Sequence, residues 1–208
     1  MFYKGTVRTP TPRLRPGEHL HVDHTRGFVV VRPAGWRVAD EAELRAAYDT
    51  RNWRRREYAP SAPPEPSQLP ALTLTGGPHG STLTADSALI ELAHEPDTSW
   101  SPLDQVEAIV TIASEWIHFD ACVVEPPTEC HLRGLPAATA AVRYTALTID
   151  APPALCLAHL VVARRGPHLL ALTTVRVLHG GVRLPEHGLR RVLESFRIFS
   201  PAKAGRGA

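Results

Sequence analysis

From position 142 to 177 the chain passes through three strand-like stretches separated by turn residues, and this run restricts the possible folds more than any other feature. Residues 142–149 alternate apolar and polar, 155–163 are mostly apolar, and 169–177 alternate again. Arg164-Arg-Gly-Pro-His168 joins the last two as a hairpin. Consecutive strands with tight turns pair antiparallel, and such a sheet must bury at least one face.

Upstream elements supply the cover. Residues 28–32 are apolar and β-branched, a strand that ends in the turn Pro33-Ala-Gly-Trp36. Residues 40–57 predict a helix with Asp40 as N-cap and Leu44, Ala47 and Tyr48 on one face. Five prolines in 59–70 predict a stiff linker. Residues 72–75 and 87–93 read as a strand pair around Gly76-Gly-Pro-His-Gly80. At 101–117 the signals coincide: Ser101 caps, Pro102 sits at the first helical position and Asp104 follows three residues after the cap. Leu103, Val106, Ile109, Val110, Ala113, Trp116 and Ile117 then form one apolar face. Pro185 opens a last helix with Leu189, Val192, Leu193 and Phe196 together. The expected class is α+β, with a central antiparallel sheet flanked by helices on both faces. The expected organisation is an N-terminal arm over 1–26, one domain over 27–199 with an insertion at about 40–70, and a disordered tail over 200–208.

The chain has 208 residues, 43% hydrophobic and 21% charged, a globular composition. No apolar run is long enough for a membrane helix, and the first 17 residues lack the apolar core of a secretory signal, so a cytoplasmic protein is expected. The net charge of +2 predicts no nucleic-acid-binding field. Charge is distributed unevenly: +5 over 1–58, −10 over 59–160 and +7 over 161–208. Either the ends fold against the middle and cancel, or an acidic face is left for a basic partner. Arginine outnumbers lysine 21 to 2, internal methionine is absent and there are 20 prolines. That pattern fits the codon bias of a high-GC, actinobacterial type of genome. Cys122, Cys130 and Cys156 contain no CxxC pair, so neither a disulfide framework nor a zinc site is expected.

Gly27-Phe-Val-Val-Val-Arg-Pro-Ala-Gly-Trp36 resembles the opening of Mog/PsbP-like domains. Gly134-Leu-Pro-Ala137 is similar to their middle, and Leu193-Glu-Ser-Phe-Arg-Ile198 to their closing helix. The resemblance spans 27–199 and implies a sheet sandwiched by helices. The superfamily includes photosystem subunits, a Ran-binding factor, LpqN-type lipoproteins, DcrB-like proteins and Eag-type accessory chaperones of secretion effectors. Most members bind proteins and are not enzymes. The chain departs from the pattern by lacking a lipobox and by adding the 40–70 segment. The matching motifs are structural, so no family site residue is carried over.

Chemistry-bearing residues are few. His19, His21 and Asp23 would share one face of a strand, with His24 adjacent; they are either a divalent-metal set or a polar edge strand. His118 and Asp120 suit a base with an orienting carboxylate, with Ser114 or Cys122 as nucleophile, or a histidine at a helix C-terminus. Gly76–Gly80 lacks Walker spacing and reads as a turn. Arg51, Trp53, Arg54, Arg55, Arg56 and Tyr58 form the basic-aromatic cluster expected to meet a partner. Trp36, Trp100 and Trp116 are expected in or beside the core. The sequence thus favours a non-enzymatic protein-binding accessory or chaperone-like protein without a cofactor. It would shield an apolar segment of a secretion-system cargo on the sheet's concave face, or assemble with a larger complex. The alternative is a small-molecule binder or biosynthetic enzyme with a pocket between sheet and helices.

Overall fold

The computed structural model describes residues 12–45, 70–79, 84–93, 100–114, 120–146, 152–166, 168–183 and 187–199. In chain order the elements are β1 (His19–Asp23), β2 (Phe28–Arg32), β3 (Arg37–Val38), β4 (Leu72–Thr75), β5 (Ser87–Ala93) and α1 (Pro102–Ile112). They continue with β6 (Cys122–Leu132), β7 (Leu135–Ala146), β8 (Ala154–Arg165), β9 (His168–His179), α2 (His187–Ser195) and β10 (Arg197–Ile198). The architecture is mixed, mostly strand with few helices. One central sheet was expected, but the described residues form two: a seven-stranded antiparallel sheet ordered β3-β4-β5-β9-β8-β7-β6, and a three-stranded sheet ordered β1-β2-β10. None of the described helices is long and apolar enough to cross a membrane.

The run that dominates the sequence becomes the middle of the large sheet. β8 and β9 pair over their length, from Leu155↔His179 to Arg165↔His168. Alternate residues of β9 enter different clusters, as the two-residue period of a strand requires. Leu170 and Leu172 pack with Phe28, Val30, Leu189, Val192, Phe196 and Ile198. Leu169 and Ala171 pack with Val106 and Val110 of α1. Phe28 and Phe196 are fully buried, with ring centroids 6.4 Å apart. Each side chain of that size contributes about 1.5–3 kcal/mol on leaving water.

α1 is capped as its sequence predicts. Ser101 Oγ accepts from Asp104 N at 3.1 Å, and Ser101 N donates to Asp104 Oδ2 at 2.7 Å. Arg164 donates to Trp100 O and ties this end to the β8–β9 hairpin. α2 docks on β2. Past the end of β10, Val31 N has no strand partner and donates instead to the buried Ser195 Oγ at 2.9 Å. This hydroxyl in turn donates to Val192 O at 3.0 Å.

Three readings are corrected. Residues 19–23, assigned to the arm, form β1 and pair with β2 from His19↔Arg32 to Asp23↔Phe28. The strand signal is weak there because only Leu20 and Val22 of its five residues are apolar. A whole strand, β6, precedes the three expected after α1, and β7 begins at Leu135 rather than at 142. Pro126 and Pro127 mask β6 in the sequence, and an edge strand tolerates them because one side needs no ladder partner. Trp36 is buried, but Trp100 is exposed. Residues 41–45 are helical after Asp40, whose Oδ1 accepts from Glu43 N at 2.8 Å. The rest of the 40–57 helix, the linker over 59–69, Trp116 and the 200–208 tail lie outside the described residues.

Candidate functional site

The residues singled out by sequence do not assemble into a catalytic or metal set among the described residues. On β1, His19 is exposed, and the half-buried His21 stacks on Phe28 with centroids 5.9 Å apart. Burial pushes the His21 imidazole below its usual range. Asp23 is taken by Arg26, accepting from its N at 2.8 Å and its Nη1 at 2.9 Å. Burial opposes ionisation of Asp23, but these bonds outweigh it and hold the carboxyl below the usual carboxylate range. Asp120 Oδ1 accepts from Thr145 N at 3.1 Å, an anchor for the end of β7. His118 and the Arg51, Trp53, Arg54, Arg55, Arg56 and Tyr58 cluster lie outside the described residues. Burial raises the Cys156 thiol to about 11, which leaves it protonated and inert, whereas Cys122 is exposed.

A polar knot that the sequence does not announce joins β3 to the glycine-rich turn. Asp40, Glu43 and His79 place potential ligand atoms within 4.8 Å of one another. Arg37 already holds the buried Glu43 carboxylate through both oxygens, at 2.6 and 2.7 Å. Arg37 also donates to Gly77 O at 2.8 Å and Pro78 O at 2.6 Å, and His79 Nε2 lies 2.9 Å from Asp40 Oδ2. The guanidinium supplies the positive charge that a cation would bring, so the knot's role is to fasten the turn.

Four arginines gather around the last turn of α2. Segments from both ends and the middle of the chain meet there. Arg190 and Arg191 come from α2, Arg197 from β10, and Arg133 from the β6–β7 turn. Arg191 closes on Glu18 through both carboxylate oxygens, at 2.9 and 2.8 Å, and also donates to Arg13 O. Arg190 Nε donates to Glu194 Oε1 at 2.7 Å. Arg133 Nη2 and Arg197 Nη1 both donate to one oxygen, the Glu194 carbonyl, each at 2.6 Å. Neither of these two meets a carboxylate among the described residues; the other bond of Arg197 is to Phe196 O at 2.9 Å. Burial, then repulsion by Arg133 and Arg191, pulls the Arg197 guanidinium below its usual range. Glu194 is held below the ordinary glutamate range, first by the hydrogen bond from Arg190. The negative end of the helix dipole is the local compensation for this crowding. Sequence reading missed the cluster because its members are scattered; Arg133 is 61 positions from Glu194.

No family model matches the chain, and no curated protein matches it in sequence. Among solved structures it is similar to cyanobacterial PsbP (CyanoP) from Synechocystis sp. PCC 6803, solved in solution, with a TM-score of 0.50 and 12% identity over 94% of this chain and 100% of that one. The fold is PsbP-like. At this identity the likeness is one of architecture, and the arginine cluster stands on its own geometry.

Proposed function

We propose that the chain is a non-enzymatic accessory protein that docks an acidic segment of a protein partner on the arginine surface at the end of α2. The observation that carries this reading is the pair Arg133 and Arg197, two adjacent guanidinium groups bonded, among the described residues, only to carbonyls. Each keeps further N–H donors for a carboxylate, in the planar fork geometry that suits one. In this reading α1 covers one face of the large sheet while α2 and the small sheet cover the other, as in the Mog/PsbP-like sandwich. Leu170 and Leu172 are therefore occupied in the core, and recognition moves from an apolar groove to the charged rim.

The test uses a labelled decaglutamate peptide and fluorescence anisotropy across a salt series. Saturable binding that weakens steeply with salt is expected, and Arg190→Glu, on an exposed helix position, should weaken it several-fold without changing the fold. Absence of binding, or binding indifferent to salt and to R190E, overturns the proposal.

A further inference from the structure

We infer that Arg133 is the specificity-determining residue of this surface, kept in a strained backbone position to present a second guanidinium to a carboxylate-bearing segment. The inference rests on the docking surface proposed above. Arg133 and Gly134 form the two-residue turn between β6 and β7. Their φ angles are +52° and +80°, and Arg133 is the one non-glycine residue at positive φ among the described residues. A turn with both central residues left-handed favours asparagine, aspartate or glycine at its first position. Arginine has no local side-chain bond that eases this conformation, so the backbone is strained there.

The fold gains little in return. Arg133 spends its one described hydrogen bond on Glu194 O, which Arg197 already satisfies at the same distance. The second bond is therefore redundant for capping α2. It also brings a like charge beside Arg197, whose guanidinium is pulled down partly by that neighbour. Strain, redundancy and repulsion all count against arginine at this site on structural grounds. Strain of this kind persists where function requires it. What arginine adds is reach: the side chain extends from the hairpin tip to the helix end and makes, with Arg197, a pair of forks converging on one point. An acidic segment would relieve the repulsion, since one carboxylate can accept from both groups.

The experiment compares the natural chain, R133N, R133K and R190E, measuring the melting temperature and decaglutamate affinity of each. Asparagine suits the left-handed position, so R133N should melt at or above the natural chain while binding about tenfold more weakly and with a shallower salt dependence. R133K keeps the charge without the fork and should recover part of the affinity. A fall of several degrees in the melting temperature of R133N would make Arg133 a structural cap and overturn the inference. So would R133N binding as tightly as the natural chain while R190E does not, an outcome that leaves the docking surface standing. A natural chain that does not bind decaglutamate overturns both, and one that binds only a phosphoserine peptide overturns the carboxylate assignment.

Discussion

Arg191 reaches across 173 positions of sequence to Glu18, and the pair is almost withdrawn from water, with side-chain exposures of 12% and 5%. It fastens the start of the described chain to α2. Its hydrogen bond from Arg191 holds the Glu18 carboxyl below the ordinary glutamate range. A carboxyl depressed in the folded state stabilises the fold above its unfolded pKa, and the contribution is lost as pH falls through the folded value. Glu18→Gln should therefore cost about 1–3 kcal/mol at pH 7, the range for losing a hydrogen bond to a charged group near burial. Urea denaturation checks this. The difference between variant and natural chain should shrink as pH falls below the ordinary glutamate range and through the lower folded value, where the Glu18 side chain becomes neutral like glutamine. A gap that stays constant with pH would mean that the pair's charge contributes nothing.

At the scale of elements, α1 is the case in which sequence and structure coincide. Ser101, Pro102 and Asp104 occupy the positions that their chemistry predicts, because a cap depends on neighbours three residues apart and on little else. Ser101→Ala should lower stability by about 1 kcal/mol by removing the acceptor for Asp104 N, with the denaturant slope unchanged. A loss within error of zero would assign the helix start to Pro102 and tertiary packing instead. β4, β5, β8 and β9 were legible for a similar reason: their apolar runs are buried on both sides by strand neighbours and core clusters. β6 was not, since Cys122–Leu132 is mostly exposed and carries Pro126 and Pro127. Its strand character comes from pairing with β7, a partner the local sequence cannot name. The arginine cluster was hidden by the same limit. The dense run from Arg51 to Arg56 draws the eye, while Arg133, Arg191 and Arg197 become neighbours only after β7 returns beside β8 and α2 folds onto β2.

At the scale of the whole molecule, the large sheet must keep its two edges from pairing with other chains. One edge, β3, is only two residues long and offers little template. The other, β6, has 11 residues, and Val123 and Val124 are 42% and 51% exposed, a combination that invites strand addition. Two devices oppose it. Pro126 and Pro127 remove adjacent N–H donors in mid-strand. The register also shifts between Val123 and Glu125 and again between Glu125 and Thr128, so the strand bends away from a straight ladder. Replacing both prolines with threonine restores the donors and favours a continuous edge without adding a large apolar side chain. The P126T/P127T chain should show a weight-average sedimentation coefficient that rises with concentration more steeply than that of the natural chain. Adding Val124→Lys should reverse that rise, because a charge on an open edge blocks pairing. If P126T/P127T sediments like the natural chain over the same range, the bulges alone protect the edge and the prolines serve only to shape β6. A rise that persists with the lysine present would place the new contact elsewhere on the surface.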